Sequence, residues 1–104
     1  MGVALRSALL GDALSATARA RLMQWMLATK TGNDRLRAGL PGTWRVADKT
    51  GTGSHGSTND VGVLMPPDRA PLVVAAYLTQ TVAPMTQRTA ALAAVGRAVA
   101  ASMA

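Results

Sequence analysis

The spacing of apolar residues changes twice along this chain and divides it into three parts. In the first part the apolar positions recur every three or four residues. Val3, Leu5, Ala8, Leu9 and Leu10 predict a short helix that stops near Gly11. Ser15 reads as an N-cap for a second helix, because its hydroxyl can accept from a free N–H in the first turn. Leu14, Ala18, Leu22, Trp25 and Met26 follow at helical spacing, with Arg19 and Arg21 turned away. Thr31-Gly32-Asn33-Asp34 is a stop signal, and Leu36 to Gly42 reads as a Gly/Pro loop.

In the second part the period becomes two. A strand-like run, Thr43 to Asp48, places Trp44 and Val46 on one face and Arg45 and Ala47 on the other. It leads into Lys49-Thr50-Gly51-Thr52-Gly53. A turn-rich stretch, Ser54 to Asn59, separates it from a second run, Asp60 to Met65, in which Val61, Val63 and Met65 alternate. Pro66-Pro67-Asp68-Arg69 is a turn. The continuous apolar run Leu72 to Leu78 reads as a strand buried on both faces. Connections this short favour antiparallel pairing. Helical spacing then returns: Pro84 precedes a helix from about Thr86 to Ser102, with Leu92, Val95, Val99 and Met103 along one side and many Ala residues favouring it. The expected architecture is α+β, a three-stranded antiparallel sheet with flanking helices, in at most one domain.

Composition narrows the chemistry. A chain of 104 residues buries roughly 65% of its unfolded surface, enough for one modest core. Hydrophobic residues make up 49%, which argues against disorder, but Phe is absent, so Leu, Val, Met, two Trp and one Tyr must form the core. There is no Cys and only one His, His55, which excludes disulfides and argues against a zinc site. The net charge of +6 comes mainly from Arg residues scattered along the chain without aromatic interleaving. That pattern reads as solvated charge rather than a nucleic-acid surface. No apolar run is long enough to span a membrane, and Met1 to Ala20 lacks the basic region before an apolar core that marks an export signal.

The stretch around Lys49 carries the strongest chemical signal. The tripeptide Lys49-Thr50-Gly51 is common by chance, but its surroundings are specific. Ala47-Asp48-Lys49-Thr50-Gly51-Thr52-Gly53, Gly56-Ser57-Thr58-Asn59-Asp60-Val61, Gly39-Leu40-Pro41-Gly42-Thr43-Trp44, Ala70 to Val74, and Leu10 to Leu14 together resemble the C-terminal portion of class A serine β-lactamases. The resemblance covers essentially the whole chain. It implies that 1–104 is a partial domain of the β-lactamase/transpeptidase-like fold.

Hydrolysis of a β-lactam needs an activated Ser, a base, donors for the oxyanion, and a cation for the substrate carboxylate. The resemblance implies that Lys49 places an ammonium near that carboxylate and Thr50 a hydroxyl beside it. Gly51 lets the backbone approach, Thr52 gives its backbone N–H to the oxyanion, and Gly53 eases the following bend. Thr58 stands where many relatives carry a carboxylate-binding Arg. Members with this Thr-Asn-Asp pattern use an Arg from the start of the last helix, which points to Arg88. Ser57, Thr58 and Asn59 otherwise shape the entry to the second strand, and His55 is an exposed turn residue. Trp25 and Trp44 are expected in the core.

The rest of the family's site is not in this sequence. No Ser is followed three residues later by Lys, no Ser-Asp-Asn occurs, and Glu is absent altogether. The resemblance therefore implies a portion of an enzyme of β-lactam breakdown and antibiotic resistance that is inactive by itself. No metal or organic cofactor is implied. The expected partners are a β-lactam and the N-terminal half of the enzyme; neither nucleic acid nor membrane is expected, and self-association of the isolated chain is. Relatives of this kind are periplasmic or secreted, and any export signal would lie upstream of Met1. The alternatives are a portion of a penicillin-binding transpeptidase, which shares Lys-Thr-Gly, and a non-catalytic remnant or complementing module.

Overall fold

The computed structural model describes residues 1–103. Its order is α1 (Gly2–Leu9), α2 (Ala16–Ala28), a one-turn 3-10 helix (Leu36–Gly39), β1 (Arg45–Thr52), β2 (Thr58–Met65), β3 (Leu72–Leu78) and α3 (Met85–Ser102). The three strands form one antiparallel sheet in the order β1-β2-β3. The short connections dictate this, since neighbouring strands can reverse within a few residues. Ser15 caps α2 as its position predicts: its hydroxyl accepts from the Ala18 N–H at 3.2 Å.

The register sorts the sheet into two faces. Lys49 lies opposite Val61, Ala47 opposite Val63, and Val63 opposite Val73. This face is apolar toward the Arg45 end of β1. There Leu9 of α1 and Met26 of α2 pack on Ala47 and Val63, with Leu5, Leu22, Met23, Leu27, Met65 and Val73 around them. On the other face Val46, Asp48 and Thr50 lie opposite Leu64, Gly62 and Asp60. The Leu36–Gly39 turn and α3 cover it, and Leu36, Ala76 and Leu92 form its small core with Val74.

Several expectations change on folding. The Gly/Pro loop from Leu36 to Gly42 contains a helical turn, and Leu36 within it is fully buried. The turn lies so close to α3 that a Cβ at Gly39 would meet the Ala93 carbonyl oxygen, and one at Gly96 the Leu36 carbonyl oxygen. The buried stripe of α3 is therefore Thr89, Leu92, Ala93 and Gly96. Val95 points outward, because close backbone approach selects small residues at the contact. β3 is half-exposed rather than buried on both faces. It ends the described sheet, and α1 does not cover its Ala75–Tyr77 end, where Tyr77 is 58% exposed. Trp25 lies on the outer side of α2 at 66% exposure, outside the core, and Trp44 is half-buried.

Candidate active site

Lys49 to Thr52 form the second half of β1. Among the described residues no strand lies on the outer side of β1. Its alternate N–H and C=O groups on that side therefore point away from the sheet, as a strand edge requires. Lys49 is exposed, and its Nζ donates to the Thr50 carbonyl at 2.6 Å. The Thr50 hydroxyl donates to the Thr31 hydroxyl at 2.9 Å, tying the strand to the loop after α2. At Gly51 the absence of a side chain serves an internal contact: a Cβ there would meet the Asn59 amide oxygen at 2.5 Å. Gly53 is exposed, and its N–H closes the turn onto the Ser57 carbonyl at 2.9 Å.

The connection from β1 to β2 reverses through His55 and Gly56, both at positive φ, 59° and 72°. His55 is exposed there. Ser57 shares a hydrogen bond with the Thr79 hydroxyl at 2.9 Å. Thr58 is fully buried, with Met85 sulfur 4.0 Å from its hydroxyl, so its side chain does not reach the open edge. Arg88, at the start of α3, donates through Nε to the Ala83 carbonyl at 2.7 Å. With His55, Gly56, Gln80, Thr81 and Val82 it lines a cleft of about 480 Å³.

Four charged residues that the sequence pattern did not single out lie at the root of this edge. Arg35, only 7% exposed, spans the end of the β1–β2 hairpin. Its Nη1 donates to the carbonyls of Gly51 (3.0 Å) and Asn59 (2.7 Å), and its Nη2 to the Thr52 hydroxyl (2.9 Å). A positive charge is thus fixed against the same residues that follow Lys49. Arg37 pairs with Asp48 at 2.9 Å and also donates to the carbonyls of Val46 (2.8 Å) and Thr29 (3.3 Å) and to Asn33 Oδ1 (3.1 Å). Asp60 Oδ2 accepts the Leu36 N–H at 3.3 Å.

Asp48 and Asp60 are both completely buried on one face of the sheet. They lie on a cross-strand diagonal, with Gly62 opposite Asp48 and Thr50 opposite Asp60. The Asp60 carboxyl is pushed up to about 8. Burial is the main cause, followed by the neighbouring Asp48 carboxyl and its charge, while the Leu36 N–H and the Arg35 charge oppose the shift. A signal for this cluster was present in the sequence. Asp48 follows the apolar pair Val46-Ala47, Asp60 precedes the apolar run from Val61, and an Arg-Leu-Arg triplet stands in the preceding loop. What the sequence lacked was any indication that these pieces meet.

Among the described residues no group of three or more His, Cys, Asp or Glu is placed to hold a metal ion, and no helix is long and apolar enough to cross a membrane. The arrangement offers an exposed ammonium, a hydroxyl, an open run of backbone groups and a buried guanidinium beneath them. Such an edge suits an anionic, acyl-bearing ligand laid along the strand.

Comparison with known proteins agrees with this geometry. The model of the β-lactamase enzyme family matches residues 1–103. The chain is 51% identical over 92 residues to β-lactamase AER-1 of Aeromonas hydrophila, covering 88% of this chain and 30% of that protein. It is 46% identical over 99 residues to β-lactamase CTX-M-25 of Escherichia coli, covering 95% and 34%. Among solved structures, an ancestral class A β-lactamase superposes with a TM-score of 0.96 at 55% identity, over 98% of this chain and 39% of that one. The class A β-lactamase of the last common ancestor of Gram-negative bacteria gives 0.97 at 53%, over 100% and 40%. The chain spans about a third of the length of the curated relatives it matches. Sequence, fold and strand-edge chemistry agree, and this chain belongs to the class A serine β-lactamase family, of which it represents a portion.

Proposed function

We propose that residues 1–104 are the C-terminal part of a β-lactamase domain and form the substrate-recognition edge of its active site. The reaction served is hydrolysis of the β-lactam amide through an acyl-serine intermediate. The observation that carries this reading is the Lys49–Thr52 edge of β1, open on its outer side and backed by Arg35. Lys49 and Thr50 bind the substrate carboxylate, and the Thr52 backbone N–H serves the oxyanion, where a preorganised donor acts on charge developing in the transition state. Gly51 and Gly53 shape the edge. Arg35 adds positive charge beneath the carboxylate. Arg88 is a third cation, from the wall of the neighbouring cleft, and reaches substrate only if it leaves the Ala83 carbonyl.

The acylated Ser and its base belong to the N-terminal portion of the enzyme, so the 104 residues by themselves bind weakly and turn over nothing. That portion is the expected partner, in a periplasmic or secreted enzyme. Without it, Trp25, Tyr77 and Val82 remain exposed, and the isolated chain self-associates. A transpeptidase would use the same edge, but the named relatives and solved neighbours are β-lactamases.

Two measurements test this reading. Intact-mass spectrometry of the chain with a penicillin, alongside a chromogenic cephalosporin assay, should show neither adduct nor turnover; a stoichiometric acyl adduct on any Ser here would refute it. In the enzyme completed with its nucleophile-bearing portion, Lys49→Ala should lower kcat/KM at least ~10²-fold, about 2.7 kcal/mol of transition-state binding. Near-normal turnover of a carboxylate-bearing β-lactam by that variant would remove Lys49 from the site.

A further inference from the structure

We propose that Asp60 is a positioning residue: it shares one proton with Asp48 across the sheet, and the resulting singly charged pair holds β1 in the register that presents Lys49 to substrate. The geometry comes first. Both carboxyls are fully buried. Each has one oxygen accounted for, Asp48 Oδ1 by Arg37 and Asp60 Oδ2 by the Leu36 N–H. The remaining two, Asp48 Oδ2 and Asp60 Oδ1, are buried and have no hydrogen-bond partner. An orphaned buried oxygen is destabilising, and more so if it is charged. Two orphans on neighbouring carboxyls are relieved together by a single proton held between them.

Charge balance leads to the same arrangement. Two carboxylates side by side in a dry site cannot both ionise without strong repulsion. The charged groups around Asp60 are few. Asp48 faces it from β1 and Arg35 from the segment before the Leu36–Gly39 turn, while Arg37 pairs with Asp48. β3 places Ala76 opposite it. The buried stripe of α3, Thr89, Leu92, Ala93 and Gly96, carries no ionisable group. Arg35 is already committed to Gly51, Asn59 and Thr52. One direct ion pair therefore faces two carboxyls, and a proton supplies the missing positive charge.

Space has been left for this pair. A Cβ at Gly62 would stand 3.0 Å from the Asp48 Cβ, and one at Gly32 would overlap Asp48 Oδ2. Asp48 immediately precedes Lys49, and Asp60 lies opposite Thr50. Loss of the shared proton would therefore force two negative charges apart directly beneath the recognition edge. The sign of the pH effect follows. The Asp60 carboxyl is raised in the folded chain from the ordinary 3.8 to about 8. Its contribution to stability is full below pH ~4, declines as pH rises toward ~8, and is flat above that.

The part of the proposal that concerns turnover rests on the β-lactamase reading; the shared proton does not. The first arm uses the chain itself. Infrared spectroscopy should show a protonated carboxyl band at neutral pH that titrates away near pH 8 and is missing in Asp60→Asn. The same substitution should flatten the dependence of the melting temperature on pH between about 4 and 8, because the amide donates to Asp48 at every pH. The second arm uses the completed enzyme. One unit above the carboxyl midpoint kcat should fall by up to ~10-fold in the parent, following the protonated fraction, and Asp60→Asn should keep its rate there. A chain with no protonated carboxyl at neutral pH, folded or not, overturns the proposal. A shared proton with identical alkaline rate profiles for parent and Asp60→Asn overturns its positioning role. A shared proton in a completed protein that opens no β-lactam leaves the pair standing and refutes the β-lactamase reading instead.

Discussion

The two faces of this sheet are built on opposite principles. Toward the Arg45 end of β1, the face under α1 and α2 is packed with Leu, Met and Val, including Leu9, Met26 and Val63. Its contacts are non-directional, and many similar side chains would serve. The face under the Leu36–Gly39 turn and α3 has a small apolar core, Leu36, Ala76 and Leu92. It also buries Val46 and Leu64, but among the described residues it alone carries buried polar groups, Asp48, Asp60, Thr58 and Thr89, with Arg35 at the hairpin end. There the partners are fixed by hydrogen bonds of definite direction. One face mainly supplies burial, and the other fixes where Lys49, Gly51 and Thr52 stand. A buried ion pair is weak support for net stability but a strong constraint on geometry, provided both partners are present. The recognition edge draws on the second face.

The sharpest way to break this contrast is to remove one partner on the polar face. Arg37→Met keeps the aliphatic stem but leaves the Asp48 carboxylate buried without its cation. The expected loss is about 3–5 kcal/mol, read by denaturant unfolding of the completed enzyme. A loss below about 1 kcal/mol, in the range of an exposed pair, would mean that the polar face is no more exacting than a surface.

Truncations in the two small cores sharpen the comparison at a lower level. Leu36→Ala and Met26→Ala each remove a large buried side chain, and such changes cost about 2–5 kcal/mol. Leu36 is enclosed by backbone, with α3 pressed against its own carbonyl, so that cavity cannot collapse. Met26 is surrounded by flexible Met and Leu side chains that can refill the space. Leu36→Ala should therefore fall near the top of the range and Met26→Ala near the bottom. The reverse order would overturn the assignment of rigidity to the polar face.

The smallest energetic effect is expected outside both cores. Trp25 is largely exposed beside an apolar hollow of about 400 Å³ formed with Leu14, Ala18, Arg21 and Leu22. Trp25→Gln should change stability by no more than about 0.5 kcal/mol yet lower the apparent mass of the isolated chain in light scattering. Unchanged association would place the sticky surface elsewhere, with the Tyr77 end of β3 the next to test.

Most elements were legible from local pattern, although β1 runs Arg45–Thr52 rather than Thr43–Asp48, β2 starts at Thr58 rather than Asp60, and Leu36–Gly39 is a helical turn rather than plain loop. Ser15 marked the start of α2, the Leu72–Leu78 run gave β3 to the residue, and the Lys49-Thr50-Gly51 context identified the family. These features depend on neighbours a few positions apart, where helix and strand periods act directly on side-chain direction. Burial was legible only in part. β3 reads as buried on both faces, but composition cannot report that it ends the described sheet. Trp25 fits a helical stripe, yet a spacing does not say which of two adjacent stripes meets the sheet.

The polar network was decided by tertiary structure alone. Arg35 reaches Asn59, and the Leu36 N–H reaches Asp60, each across 24 positions; Arg37 reaches Asp48 across 11. Nothing local couples these residues. They meet because the sheet register puts Asp48 and Asp60 on one diagonal and because Gly39 and Gly96 let the Leu36–Gly39 turn press against α3 over that face. The sequence determined which segments become helix and strand and which chemistry lies along β1. Folding decided which charges are buried together, because desolvation and pairing act through space and depend on the packed partner rather than on position in the chain.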